Sequence, residues 1–227
     1  MQTCIRTVLT TGKGEYEEKR SRFISWVYPV STEDETASIL SALKKKHWDA
    51  RHQCFAYIID GDTTIQRFSD GGEPTGTAGL PILEIIRKKD LSNVLIVVIR
   101  YFGGILLGAS GLARAYGKAA AAGLMDAQII IKKQCFVAIV NAGYHEYGKI
   151  QNFMNTYKLQ VKDTKYTDKV QIELLIEYDK KDSFEKDLND ITGGAAEIII
   201  AGKTYASFDE NGSYLSNAPK PPDPCDL

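Results

Sequence analysis

Residues 94–122 read VLIVVIRYFGGILLGASGLARAYGKAAAA. The stretch starts as an apolar run, reaches Arg100-Tyr101-Phe102, passes glycines at 103, 104, 108 and 111, and continues into alanines that carry Arg114 and Tyr116. A short apolar run ending in turn residues reads as a buried strand, and the alanine-rich run reads as a helix. The glycine turn between them lies where backbone N–H groups can face an anion. No named phosphate motif fits: a P-loop ends in Gly-Lys-Ser/Thr and the dinucleotide fingerprint is G-x-G-x-x-G, and these glycines match neither spacing.

Outward toward the N-terminus, the residues before this strand form a helix of about 79–89, with Pro81 in its first turn and Ile82, Ile85 and Ile86 facing inward. SDGGEPTGTAG, residues 69–79, is too rich in glycine for a regular element. Residues 64–68 pair back on a strand at 54–59 through the turn Asp60-Gly61-Asp62-Thr63. Further upstream, a helix is predicted over 33–46. Thr32 and Glu35 have capping-box spacing, while Glu33, Asp34 and Glu35 begin the helix and Lys44, Lys45 and Lys46 end it, complementing its dipole. Residues 1–30 carry two candidate strands, the stronger being Arg22–Val27, with a break at Pro29. Lys19-Arg20-Ser21-Arg22 reads as a solvated face.

On the other side a second unit begins between 124 and 134. Strand 134–140, helix 144–157, strands 159–166 and 169–178, helix 181–191 and strand 195–206 follow in order. Ile150, Phe153, Met154 and Tyr157 form the buried face of the first helix, and Phe184, Leu188 and Ile191 that of the second. The order βαββαβ is the ferredoxin-like pattern. The expected organisation is an α+β protein with a first domain at 1–130, a ferredoxin-like domain at 134–206 and a flexible tail at 207–227.

Length and composition suit one large or two modest soluble domains. A formal net charge of −1 gives no bulk attraction to nucleic acid or acidic lipid, though local basic patches are allowed. No apolar run approaches the roughly 18–20 residues that span a bilayer, and the first residues lack the apolar core of a signal peptide. The four cysteines are scattered without C-x-x-C spacing, so the expected setting is the reducing cytoplasm, without disulfides or zinc.

Three stretches concentrate polar groups with glycine: 47–53, 69–79 and 100–116. A catalytic reading uses His52 as general base, Glu73 or Asp70 to orient it, and Arg100 and Arg114 to hold a phosphate. It lacks a nucleophile in a G-x-S-x-G setting, and Cys54, at a strand start, reads as a structural thiol. His47 and His52 match no metal-site spacing. A binding reading asks less: two arginines, glycine-exposed N–H groups and the aromatics Tyr57, Tyr101, Phe102 and Tyr116 suit phosphate contact with base stacking. A third reading is structural, with Arg100 paired to Glu73 or Asp70 to pin the loops and Tyr101 and Phe102 in the core. The binding set is Arg51, His52, Glu73, Thr75, Arg100, Tyr101, Gly103, Gly104, Ser110 and Arg114; no catalytic residue, metal or cofactor is assigned.

Ala50-Arg51-His52, Gly72-Glu73-Pro74-Thr75-Gly76-Thr77-Ala78-Gly79-Leu80-Pro81-Ile82-Leu83 and Arg100-Tyr101-Phe102-Gly103-Gly104, with Leu107-Gly108, Gly111-Leu112 and Arg114-Ala115-Tyr116, closely resemble the signatures of the YigZ/IMPACT family. The resemblance covers about residues 15–125, and the Arg22-Phe23-Ile24 strand fits it. It implies a first domain similar to the second domain of the small-subunit ribosomal protein five, a fold shared with domain IV of elongation factor G. The ferredoxin-like domain then resembles domain V of that factor. Eukaryotic members of the family regulate translation under amino-acid starvation by competing for an activator of the general-control kinase. The implied function is a non-enzymatic regulator associated with translation that binds RNA, ribosome or a protein partner through loops of the first domain. A small-molecule enzyme or phosphate-ligand protein using the same cleft, and a pure protein-interaction module, are the alternatives. Three positions depart from the family pattern: Leu106 stands where Lys is common, Ser110 where Gly is usual and Gly71 where Asp is usual. Ser110 offers a helix cap in exchange, and the missing lysine removes one phosphate contact.

Overall fold

The computed structural model describes residues 4–215, which fall into two units divided between Ile130 and Ile131. The first holds β1 (Cys4–Val8), β2 (Gly12–Glu18), β3 (Ser21–Pro29), α1 (Glu33–Lys46), β4 (His52–Ile59), β5 (Ile65–Ser69), α2 (Gly79–Lys88), β6 (Val94–Tyr101) and α3 (Gly108–Asp126). Strands β2-β3-β6-β4-β5 form one antiparallel sheet with β6 in the middle. Both faces of that sheet are covered, which explains why β6 is apolar at every position from Val94 to Ile99. Val94, Ile96 and Val98 pack with Ile82, Leu83 and Ile86 of α2 and with Leu112, Ala115, Tyr116 and Ala119 of α3. Leu95, Val97 and Ile99 pack with Ile39 and Leu43 of α1. The period-2 alternation of side chains sorts one continuous run onto two cores.

Helix α1 runs over the predicted span. Thr32 Oγ1 accepts from the Glu35 N–H at 3.1 Å, which forms the first arm of the capping box, while the Glu35 carboxylate accepts from the N–H of Ser31 at 2.7 Å, one residue before the N-cap. The alanine-rich composition of α3 has a packing reason: the helix backbone lies almost against β2. A Cβ on Gly14 would fall 2.4 Å from the Ala122 carbonyl carbon, so only glycine fits there. Residues 1–30 contain three strands among the described residues rather than the expected two. The short β1 is tied in by long-range bonds, the Ser92 N–H donating to the Arg6 carbonyl at 2.8 Å and Thr7 Oγ1 to the Asn93 carbonyl at 3.1 Å. Those partners lie more than eighty residues away in sequence, which no local pattern reveals.

The second unit is built from β7 (Ile129–Ala142), which crosses the division, α4 (Tyr144–Thr156), β8 (Gln160–Tyr166), β9 (Val170–Glu177), α5 (Lys181–Thr192) and β10 (Glu197–Phe208). The strand order β8-β9-β7-β10, antiparallel throughout, is the ferredoxin-like arrangement. Ile150, Phe153 and Met154 of α4 and Phe184 and Leu188 of α5 cover Ala138, Val140, Ile172 and Leu174 of the sheet. Tyr157, expected on the buried face, is the residue that caps α4 and is exposed. The tail expected from 207 starts as ordered structure: β10 continues to Phe208, Asp209 accepts from the Asn211 and Ser213 N–H groups, and the Leu215 N–H returns to the Ser207 carbonyl at 2.8 Å. Residues 216–227 of that expected tail lie outside the described residues. No helix of the described residues is long and apolar enough to cross a membrane.

Candidate functional site

Alternation along β6 continues past its apolar run and sends Arg100 and Tyr101 to opposite faces of the sheet. Arg100 joins the face covered by α2 and α3. Its Nη1 donates to Glu73 Oε1 at 2.7 Å, and the Tyr116 hydroxyl donates to the same oxygen at 2.8 Å. Arg100 Nη2 donates to Ser21 Oγ at 3.2 Å, and that hydroxyl also accepts from the Gly103 N–H. The guanidinium carbon lies 5.5 Å from the Phe23 ring centroid and 5.3 Å from that of Phe102. Arg100 and Glu73 therefore close a buried polar network that ties β3, β6, α3 and the 69–79 loop together. Of the three sequence readings, the structural one describes this pair.

The 69–79 loop is organised by Asp70. Its Oδ2 accepts from the Gly76 N–H at 2.9 Å, and its Oδ1 accepts from Ala78 at 3.0 Å and Gly79 at 2.9 Å, which caps the start of α2. Burial works against ionisation, but these three donors hold the carboxyl below the usual aspartate range. Gly71 has φ +55, and a Cβ there would lie 2.2 Å from the Gln53 carbonyl oxygen, so the loop requires glycine at that position. His52 Nδ1 sits 3.2 Å from the Gly71 carbonyl. A carbonyl only accepts, so Nδ1 carries the proton there, and His52 pins this loop through a main-chain carbonyl rather than through the Asp70 or Glu73 carboxylate that the catalytic reading requires. Thr75 is exposed at the loop surface.

Tyr101 belongs to the α1 face. Its hydroxyl donates to Asp49 Oδ1 at 3.0 Å and lies 2.9 Å from His47 Nδ1. Because that hydroxyl proton goes to Asp49, His47 donates through Nδ1. Burial, then the neighbouring Lys46 charge, lowers the His47 pKa. Arg51 is exposed on this same side, in a groove with His47 and Trp48.

The glycine turn after β6 projects outward. Gly103 packs against the backbone of Arg20, where a Cβ would be 2.0 Å from the carbonyl carbon. Beyond it Phe102, Ile105 and Leu106 are exposed, Leu106 by 82%. Helix α3 starts at Gly108, so Ser110 lies inside its first turn; the N-cap is Leu107, and no side chain caps the helix. The expected Ser110 cap is therefore not formed, because the helix begins two residues earlier. Arg114 is exposed and lines a cleft of about 210 Å³ with Lys19, Lys118, Leu107, Gly111 and Glu18. Lys19 and Arg20 have φ of 45 and 65, the left-handed pair of a tight hairpin turn, which places both cations at the same edge.

Of the expected residues, Glu73, Arg100 and Gly103 come together in the buried network. Gly104, Ser110 and Arg114 lie along the exposed turn and helix start. Arg51 and Tyr101 lie on the other face of the sheet. The residues that complete these clusters, Ser21, Tyr116, Lys19 and Lys118, were outside the expected set. Tyr116 carried a signal, since it shares the apolar face of α3 with Leu112 and Ala119; Ser21 carried none. Cys54 is buried with its thiol pushed up to about 12 by desolvation, and its Sγ donates to the Asp70 carbonyl. A thiol held neutral in this way is a poor nucleophile. The described residues contain no group of three or more His, Cys, Asp or Glu placed to hold a metal ion. A cavity of roughly 600 Å³ lies in the second unit among Phe153, Tyr157, Phe184, Phe208 and Tyr214, and none of the expected site residues lines it.

The Impact N-terminal domain matches residues 19–124, and a domain of unknown function (DUF1949) matches residues 140–195. The chain is 38% identical over 199 residues to IMPACT family member YvyE of Bacillus subtilis, covering 88% of this chain and 92% of that protein. A crystal structure of a hypothetical protein, 27% identical, superposes with a TM-score of 0.56 over 89% of this chain and 99% of its own. A structure of the two-domain translational regulator Yih1 is 25% identical, with a TM-score of 0.36 over 56% of this chain and 48% of its own.

Proposed function

The chain belongs to the IMPACT family, and on that premise we propose that it is a non-catalytic regulator associated with translation that binds structured RNA through the exposed edge of its first unit. The carrying observation is how the charged groups are divided. Arg100 and Glu73 neutralise each other in the interior, whereas Lys19, Arg20, Arg114 and Lys118 gather at one exposed edge beside the glycine turn. Lys118 Nζ donates to the Tyr16 hydroxyl at 3.0 Å, so its ammonium is held in place. Cations fixed at a cleft suit the phosphate backbone, which is read by position rather than by sequence. Phe102 beside them offers an aromatic face. The translation setting is what the family resemblance implies.

Binding of the full chain to ribosomes and to structured RNA, measured over a range of salt, tests this. Arg114→Ala with Lys118→Ala should weaken binding and lower the slope of log affinity against log salt by about 0.7–0.9 per lost phosphate contact. Wild-type binding that neither the double substitution nor salt changes would count against it. Exposed Ile105 and Leu106 at the loop tip favour a protein partner as the second reading. A partner captured through these residues and retained after nuclease treatment would select that reading.

A further inference from the structure

We propose that the groove between the end of α1 and the start of β4 takes an unpaired nucleotide of single-stranded RNA, with the base stacked on Trp48 and the flanking phosphates on Lys44 and Arg51. The inference rests on the RNA reading above and adds a second contact of a different kind, on the opposite face of the sheet. The groove encloses about 500 Å³, and its walls include Lys44, His47, Trp48, Arg51, Gln53 and Phe55. That volume is within the range of small-ligand sites, roughly 300–1,000 Å³. Among the described residues no acidic side chain lines it. Lys44 and Arg51 are exposed and make no ion pair among the described residues.

Trp48 is the feature that selects the ligand. Its side chain is 83% exposed, whereas Trp26, the other tryptophan, is 8% exposed and flanked by the ammonium groups of Lys13 and Lys46. A large aromatic left in water on a surface is unusual and marks a contact. The turn that carries it is braced on both sides. His47 bonds to Tyr101, Tyr101 bonds to Asp49, and the Ala50 N–H returns to the His47 carbonyl at 3.0 Å. Asp49, the acid beside Trp48, is turned onto the Tyr101 hydroxyl, which leaves the charge of the groove itself positive. Gln53 Nε2 donates to the Leu40 carbonyl at 2.9 Å and fixes the floor against α1. An indole on a rigid turn, between two cations, stacks a base at little ordering cost. The bases of a duplex are already stacked on each other, so the groove discriminates in favour of an unpaired strand.

The test is a titration of the full chain with a labelled, unstructured oligoribonucleotide, with a duplex of the same length, and with adenosine monophosphate alone. Anisotropy reports the labelled strands and tryptophan emission reports Trp48. Trp48→Ala should weaken single-strand binding by roughly tenfold, as expected for loss of one stacked base, and Trp48→Phe should retain most of it. Lys44→Ala and Arg51→Ala should each lower the salt slope by about 0.7. Unchanged single-strand affinity in Trp48→Ala overturns the proposal. So does saturation of Trp48 by adenosine monophosphate when oligoribonucleotide binding does not depend on Trp48. Loss of RNA binding in Arg114→Ala with Lys118→Ala, together with no effect of Trp48→Ala, leaves the broader RNA reading standing and removes this one. Failure of the wild type to bind any RNA removes both.

Discussion

Arg100 and Glu73 form an ion pair at 2.7 Å with side chains only 6% and 4% exposed, where β3, β6, α3 and the 69–79 loop meet. Glu73 also holds Tyr116, and Arg100 also holds Ser21. Removing either partner strands a charge in the interior, which costs about 3–5 kcal/mol for a buried pair. Arg100→Ala and Glu73→Ala should therefore each lower unfolding stability by that order in chemical denaturation. Replacing both together by apolar residues of similar volume should cost far less than the sum of the two. Additive losses would show that the pair is not coupled. The same burial makes Arg100→Ala an unsuitable probe of RNA binding, because a fold defect would imitate a contact defect.

Asp70 accepts from three backbone N–H groups, two of them (Ala78 and Gly79) at the start of α2 and one (Gly76) in the loop before it. Its folded pKa lies below the unfolded value, so its stabilisation is fully present above about pH 4 and is lost as pH falls through the folded pKa. Asp70→Asn should reduce stability at neutral pH by about 1–2 kcal/mol, the scale of a lost cap. The gap between wild type and variant should narrow in acid. A gap that stays constant from pH 7 to about pH 2 would contradict the charge-assisted cap.

His47 titrates in the other familiar range. Burial and Lys46 lower its folded pKa, so the unfolded chain binds its proton more readily. Its contribution is complete above about pH 6.5 and declines as pH drops below that value toward the folded pKa. Stability of the wild type should rise with pH across this window. His47→Gln should flatten the rise, and NMR titration of the ring should place its midpoint below that of a free histidine. A midpoint at or above the free value would refute the assignment.

Thiol chemistry should separate the described cysteines. Cys4 is exposed, whereas Cys54 and Cys135 are buried with their thiols pushed up to about 12 and about 11 by desolvation. In the native protein at mildly alkaline pH, a maleimide should label Cys4 rapidly and the other two only after unfolding, as read by peptide mass spectrometry. Rapid native labelling of Cys54 would revive a reactive-thiol reading.

Much of the fold was legible because its signals are local. The capping residues and charges of α1, the apolar run of β6, the turns at 60–63 and 167–168 and the βαββαβ order each depend on neighbours within a few residues. The expected binding set was less legible because its members were chosen for residue type and adjacency. Arg100 and Tyr101 are adjacent in sequence, yet a strand turns consecutive side chains to opposite faces. One enters the α2–α3 core and meets Glu73, 27 residues away, while the other meets Asp49 and His47 beside α1. The tail signal failed at 207–215 for a related reason, since the bonds of Asp209 and the packing of Phe208 on Tyr214 outweigh a polar composition.

Hydrophobic period, capping and turn chemistry act over short distances, so the amino-acid order alone shows which segments form helices and strands and which loops gather glycine and charge. Which charges neutralise each other and which face water is settled by the packing of the elements. That depends on the layers placed above and below the sheet: α2 and α3 enclose Arg100, α1 leaves the Trp48 groove open at its end, and the edge beside the glycine turn leaves Arg114 and Lys118 exposed.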